Sequence, residues 1–150
     1  MITAQKESFT AAIPELKPIF TRHWEELALN KDIVPLDMMY ETYEQREAMG
    51  EVCFVTLRDK GTIIGYFVGF ISPGLHYRTC LTCITDIFYV EPDRRGARAG
   101  VMLFQAVEEE LKRRGVKRWF AGEKLHKPCA PLFKYLGFEP VEQTHSKILA

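Results

Sequence analysis

Apolar residues recur at helical spacing early in the chain. Ile13, Leu16, Phe20, Trp24 and Leu27 share one face, which predicts an amphipathic helix ending near Asn30. A loop over 30–34 leads to a second, shorter predicted helix. Asp32 or Val34 precedes its start, Pro35 suits its first turn, and Leu36, Met39, Tyr40 and Tyr43 form its apolar face up to Gly50. From Glu51 the pattern changes. Val52, Phe54 and Thr56 alternate with Cys53, Val55 and Leu57, and Arg58 to Gly61 supplies a turn, so a hairpin is expected. Ile63 to Ile71 is apolar on both faces, as a central strand covered on each side would be, and Pro73-Gly74 closes it. Cys80 to Val90 is predicted to return beside it as a third strand.

Beyond the break at Pro92 to Gly96, Gly100, Leu103, Phe104, Val107 and Leu111 form a helical stripe. Glu108, Glu109, Glu110, Lys112, Arg113 and Arg114 lie opposite it, and Gly115 is the expected stop. Val116 to Ala121 reads as a buried strand, Pro128 to Leu136 as a short helix ended by Gly137, and Val141 to Leu149 as a last strand. The resulting order, α-α-β-β-β-α-β-α-β, predicts a mixed α/β fold. A length of 150 residues suits one compact domain over 1–150.

Charge narrows the partners. Twenty basic and twenty acidic side chains cancel, so no global positive field draws the chain to nucleic acid or to an anionic membrane. An anion-binding site must therefore be local. The longest apolar run, Ile63 to Ile71, falls far short of the ~20 residues that span a bilayer. The opening MITAQKESFT lacks the pattern of a secretory peptide, so a cytoplasmic location is expected. Cys80 and Cys83 lie within a strand pattern, where positions i and i+3 point to opposite faces, and no metal site is expected from them.

The stretch VEPDRRGARAGVMLF, Val90 to Phe104, places a basic, glycine-containing turn between a strand and a helix. Amides in a first helical turn have no internal acceptor, and the helix dipole adds about half a positive charge there, so such a mouth binds diphosphate. RGARAG, Arg95 to Gly100, resembles the Arg/Gln-x-x-Gly-x-Gly/Ala signature of the GNAT N-acetyltransferase superfamily. PLFKYLGF, Pro131 to Phe138, is similar to that family's late helix and Leu-Gly-Phe turn, and the closing VEQTHSKIL is similar to the last strand of small bacteriophage members.

The resemblance implies the GNAT fold, a mixed central sheet flanked by helices, with acetyl-CoA as co-substrate and no metal. It assigns the diphosphate to Arg95, Gly96, Ala97, Arg98, Ala99 and Gly100, and the pantetheine and thioester to the backbone of Phe88, Tyr89 and Val90. Arg98 stands where the family usually has glycine. It is expected to keep a negative φ and to turn its guanidinium towards the anion. Phe133 occupies the cofactor-facing position where many members carry a tyrosine acid.

Acetyl transfer to an amine needs a base, because an alkylammonium has a pKa near ~10. Asp86, a carboxylate on an otherwise apolar strand, is the candidate; Glu123 and His126 are its rivals. The acceptor is a primary amine on a small molecule or a protein, attacking directly without an enzyme-bound intermediate. Trp24, Met38, Met39, Tyr40 and Tyr43 are candidates for its wall, and Asp32, Asp37, Glu41 and Glu44 nearby would favour a cationic amine. The alternative is a CoA-binding or interaction module on the same fold. A monomer or homodimer suits either reading.

Overall fold

The computed structural model describes residues 1–96 and 98–149. Among them, five strands form one sheet in chain order: β1 (Ile2–Lys6), β2 (Val52–Asp59), β3 (Thr62–Gly74), β4 (Tyr77–Val90) and β5 (Arg118–Phe120). The first four are antiparallel to their neighbours, and β5 runs parallel to β4. Helices α1 (Phe9–Leu27) and α2 (Tyr40–Ala48) cover one face. On the other lie α3 (Ala99–Arg113) and α4 (Ala130–Tyr135).

The two-sided apolar run in β2 and β3 produces this sandwich. On the α1 side, Phe9, Leu16 and Phe20 pack with Phe54, Tyr66, Val68 and Tyr89. On the α3 side, Leu103, Phe104, Val107 and Leu111 pack with Val55, Leu57, Phe67 and Cys83. Alternation sends successive strand residues to opposite cores. α1 tolerates Pro14 and Pro18 inside it because both lie on its exposed face, where water satisfies the carbonyls that lose an N–H partner.

The start of α1 is held by two side chains. Ser8 accepts from Ala11 N, and Glu47 on α2 accepts from Phe9 N at 2.6 Å, Thr10 N at 3.0 Å and Ser8 Oγ at 3.1 Å. Burial would raise the Glu47 carboxyl, but these hydrogen bonds outweigh it and hold the group below its ordinary value. Glu47→Ala is expected to destabilise the protein by about 1–2 kcal/mol in urea unfolding, since it strands two amides.

Three expectations need correction. β1 was not anticipated: only Ile2 and Ala4 in its five residues are apolar, and its edge position is fixed from outside, by β2 and by Gln5 Nε2 donating to Thr56. The second helix starts at Tyr40, not near Pro35, because Asn30 adopts φ +56 and its carbonyl accepts from Ile33 and Val34 in a separate turn. The closing strand over Val141–Leu149 does not form. That segment is exposed throughout, with Val141 71% and Leu149 88% accessible, and too few apolar side chains to bury against the sheet.

No helix among the described residues is long and apolar enough to cross a membrane.

Candidate active site

The turn after β4 enters α3 through Arg98, which sits at the N-cap with φ +63 and ψ 16. The expected negative φ is overturned. The backbone adopts the left-handed conformation that glycine takes freely, although the side chain is arginine. Arg98 Nη2 reaches Tyr135 Oη on α4 at 3.4 Å, and no side chain caps the helix. The first helical bond runs from Met102 N to Arg98 O, so the amides of Ala99, Gly100 and Val101 have no acceptor within the helix. Leu132 of α4 would lie 3.3 Å from a Cβ at Gly100, so the bare backbone there lets the two helices approach. Arg98→Gly is expected to raise stability by about 1 kcal/mol by removing left-handed strain, measured as a higher Tm.

Arg95 is engaged elsewhere than at this mouth. Its Nε donates to Val90 O at 2.7 Å, its two Nη atoms bind Glu26 at 2.8 Å each, and the guanidinium lies 5.3 Å from the Tyr89 ring centre. Its side chain therefore ties the turn to α1 and β4. Gly96 lies in the exposed part of the turn, and Ala97 falls outside the described residues.

β4 carries the second half of the site. Val68 pairs with Ile87 and the next residue, Gly69, with Thr85, so Asp86 is an extra residue in a β-bulge. The ladder to β5 involves only Thr82 to Ile84. Beyond Ile84 that edge of β4 has no strand beside it among the described residues. Glu91 N donates to Ile64 O, and backbone groups alternate along an antiparallel strand. The amides of Phe88 and Val90 accordingly face the gap, whereas the Tyr89 backbone faces Tyr66 on β3. Of Phe88, Tyr89 and Val90, the first and last thus turn their N–H groups to the open edge and Tyr89 turns its own to β3. Phe133 is buried and packs against Phe88, Phe104 and Phe138.

The bulge turns Asp86 towards α2, where its carboxylate accepts from Tyr43 Oη at 2.5 Å. Asp86 is exposed on its outer side, with the Tyr43 hydroxyl and the Arg46 charge beside it. Burial pushes its pKa above the ordinary carboxylate value, only partly opposed by the Tyr43 hydroxyl and the Arg46 charge. Tyr43 also lines an open groove of about 320 Å³ with Met38, Met39, Thr42 and Phe70. Glu123 and His126 lie exposed in the loop after β5, and His126 Nε2 contacts Leu27 O at 3.0 Å. Neither shares a hydrogen bond with Asp86.

One residue without an assigned role is tied into the core beside β4. His23 stacks on Tyr89 with ring centres 4.7 Å apart, and its Nδ1 lies 2.5 Å from the hydroxyl of the fully buried Tyr66. Desolvation lowers its pKa to about 4, so the imidazole is neutral at pH 7. Its position was readable from the stripe of α1: His23 lies three residues from Phe20 and four from Leu27. Among the described residues, no group of three or more His, Cys, Asp or Glu side chains is arranged to hold a metal ion.

Known proteins with this architecture are numerous. A predicted acetyltransferase from Clostridium acetobutylicum, solved with acetyl-CoA, is 16% identical, with 99% of this chain and 96% of that one covered at a TM-score of 0.76. A ribosomal-protein-alanine N-acetyltransferase from Brucella melitensis biovar Abortus 2308 is 12% identical, with 99% of each chain covered at a TM-score of 0.74. An aminoglycoside N-acetyltransferase in complex with CoA is also 12% identical, with 98% of each chain covered at a TM-score of 0.71. At these identities the likeness establishes the fold. No curated protein matches the sequence significantly. The model of the Acetyltransferase (GNAT) family matches residues 14–138, which spans the bulged strand, the basic turn, α3 and the Leu-Gly-Phe turn. The chain therefore belongs to the GNAT acetyltransferase family.

Proposed function

We propose that the protein transfers an acetyl group from acetyl-CoA directly to a primary amine, with Asp86 as the base. The observation that carries this reading is a raised, tyrosine-held carboxylate on the bulge of β4, beside an unpaired strand edge that leads to the uncapped mouth of α3. The amides of Ala99, Gly100 and Val101 would hold the diphosphate, helped by the α3 dipole. The amides of Phe88 and Val90 would align the pantetheine and stabilise the negative oxygen that develops on the carbonyl.

Asp86 takes a proton from the ammonium of the acceptor, and the neutral nitrogen then attacks the thioester carbonyl carbon. The C–S bond breaks as the C–N bond forms. The thiolate recovers a proton from the new amide nitrogen through water, because Phe133 has no hydroxyl to donate. Tyr43 holds Asp86 in place and does not itself transfer the proton, since burial raises its phenol pKa well above the ordinary value.

The test is release of free CoA thiol from acetyl-CoA in the presence of a panel of primary amines, with mass spectrometry of the products. Amine-dependent thiol release with an acetylated product supports the proposal. CoA binding by calorimetry with no turnover for any amine would favour the alternative, a CoA-binding module, for which the arginine in the glycine position of the turn speaks.

A further inference from the structure

A row of side chains crosses the sheet on the face that α1 and α2 only partly cover. Phe70 on β3 pairs with Ile84 on β4, and Ile84 pairs with Phe120 on β5, so the three are lateral neighbours. They share a face: Cys83 and Trp119, the adjacent residues, both pack into the opposite core. At a strand spacing of about 4.8 Å the row is about 10 Å wide. It is open to solvent, with Ile84 59% accessible in the middle of a strand. α2 stops over Phe70 and leaves the rest bare.

Both ends of the row are capped by guanidinium groups. Arg46 lies 4.6 Å from the Phe70 ring centre, and Arg118 lies 4.9 Å from those of Phe120 and Tyr77. Among the described residues neither is in a salt bridge. Arg118 Nε is buried with no hydrogen-bond partner. Asp86, two residues beyond Ile84, is the carboxylate on this stretch of β4. The row is continuous with the groove of Met38, Met39 and Tyr43 through Phe70. Asp37 also lines that groove, but it is exposed, where salt screens its charge.

We infer that the Phe70–Ile84–Phe120 row is the acceptor platform and that it selects a primary amine with a compact apolar body and no second positive charge. This rests on the acetyl-transfer reading and narrows the expectation of a cationic amine, drawn from Asp32, Asp37, Glu41 and Glu44, to one that carries a single positive charge. An aryl- or alkyl-ethylamine laid on Ile84 removes apolar surface on both partners from water and points its nitrogen at Asp86. A polyamine or amino sugar would bring further ammonium groups against Arg46 or Arg118, while its hydroxyls or amines would lose water over hydrocarbon.

The experiment compares 2-phenylethylamine, hexylamine, spermidine and kanamycin as acceptors, with the intact protein and acetyl-CoA. kcat/KM for the first two should exceed that for the last two by at least tenfold. Ile84→Glu places a charge on an already exposed side chain, so the fold is retained. It should raise KM for 2-phenylethylamine at least tenfold, leave CoA affinity unchanged, and narrow or reverse the preference over spermidine. Calorimetry of 2-phenylethylamine into the CoA-loaded protein gives a second readout, with binding at least tenfold weaker in Ile84→Glu. A wild-type preference for spermidine or kanamycin, or an apolar preference that survives Ile84→Glu, overturns the inference. If no amine is turned over, the acetyl-transfer reading fails, and the binding comparison still decides the platform.

Discussion

Replacing Asp86 by Asn is expected to lower kcat/KM for the preferred amine by about 10²–10⁴-fold, the range a positioned proton acceptor contributes. The same change should leave the protein at least as stable at neutral pH. Asp86 has a folded pKa raised by burial, so its ionised form is held less well in the fold than in the unfolded chain. That penalty is present at neutral pH and vanishes as pH falls through the folded pKa. Asparagine removes it, and its carbonyl oxygen still accepts from Tyr43. The wild-type rate should correspondingly rise with pH through a value above that of an ordinary aspartate. Glu123→Gln and His126→Gln should each change kcat/KM by less than about threefold, because neither side chain approaches Asp86 through a hydrogen bond. An Asp86→Asn variant within threefold of wild type would remove the carboxylate from the mechanism.

A second large effect is expected in stability as a function of pH. His23 has a folded pKa of about 4, against about 6.5 when unfolded. Between those values the unfolded chain binds a proton that the folded chain refuses. Stability is therefore complete above the unfolded value and is lost as pH falls towards 4. Between pH 7 and pH 5 the loss should be about 2 kcal/mol, read from urea unfolding. Glu7, Glu26 and Glu47, whose pKa values are lowered, contribute mainly at lower pH. Exchanging both partners of the hydrogen bond, His23→Phe with Tyr66→Phe, should flatten the profile in this window without stranding the buried hydroxyl. A double variant that loses as much stability as wild type between these pH values would refute the assignment.

The central hairpin, α3 and the two-core arrangement were legible because their signals are local and repeated. Seven consecutive residues in β3 are buried, Ile63 to Gly69, and a run of that kind has few alternatives to a covered strand. α3 carried both a stripe and a glycine stop, and Gly115 indeed adopts φ +81. Elements set by distant partners were not legible. β1 owes its pairing to β2, which is distant in the chain, and the loop over 31–39 stays outside the second helix because Asn30 closes a turn of its own.

The site was legible in part for the same reason. Asp86 stood out as a lone charge in an apolar strand, but nothing in the linear sequence marks it as the inserted residue of a bulge; that emerges only from pairing with Val68 and Gly69. Tyr43 and Asp86 are 43 residues apart, so their bond was hidden too. Arg98 was misjudged because a backbone conformation was inferred from the side chain. The turn geometry wins there, and the arginine conforms to it.

The extra residue in β4 has a consequence for how the enzyme can evolve. Ile84 is the last position paired with β5, and the bulge that follows it, in the pairing with β3, is of a kind that bends its strand. Excising position 86 would restore a regular two-residue rhythm, let the neighbouring strand run on alongside, and seal the slot that a thioester would enter. Substitution at this point changes a side chain, whereas deletion would change the register of the strand as well. Replacement of residue 86 is therefore expected to be tolerated far better than its removal.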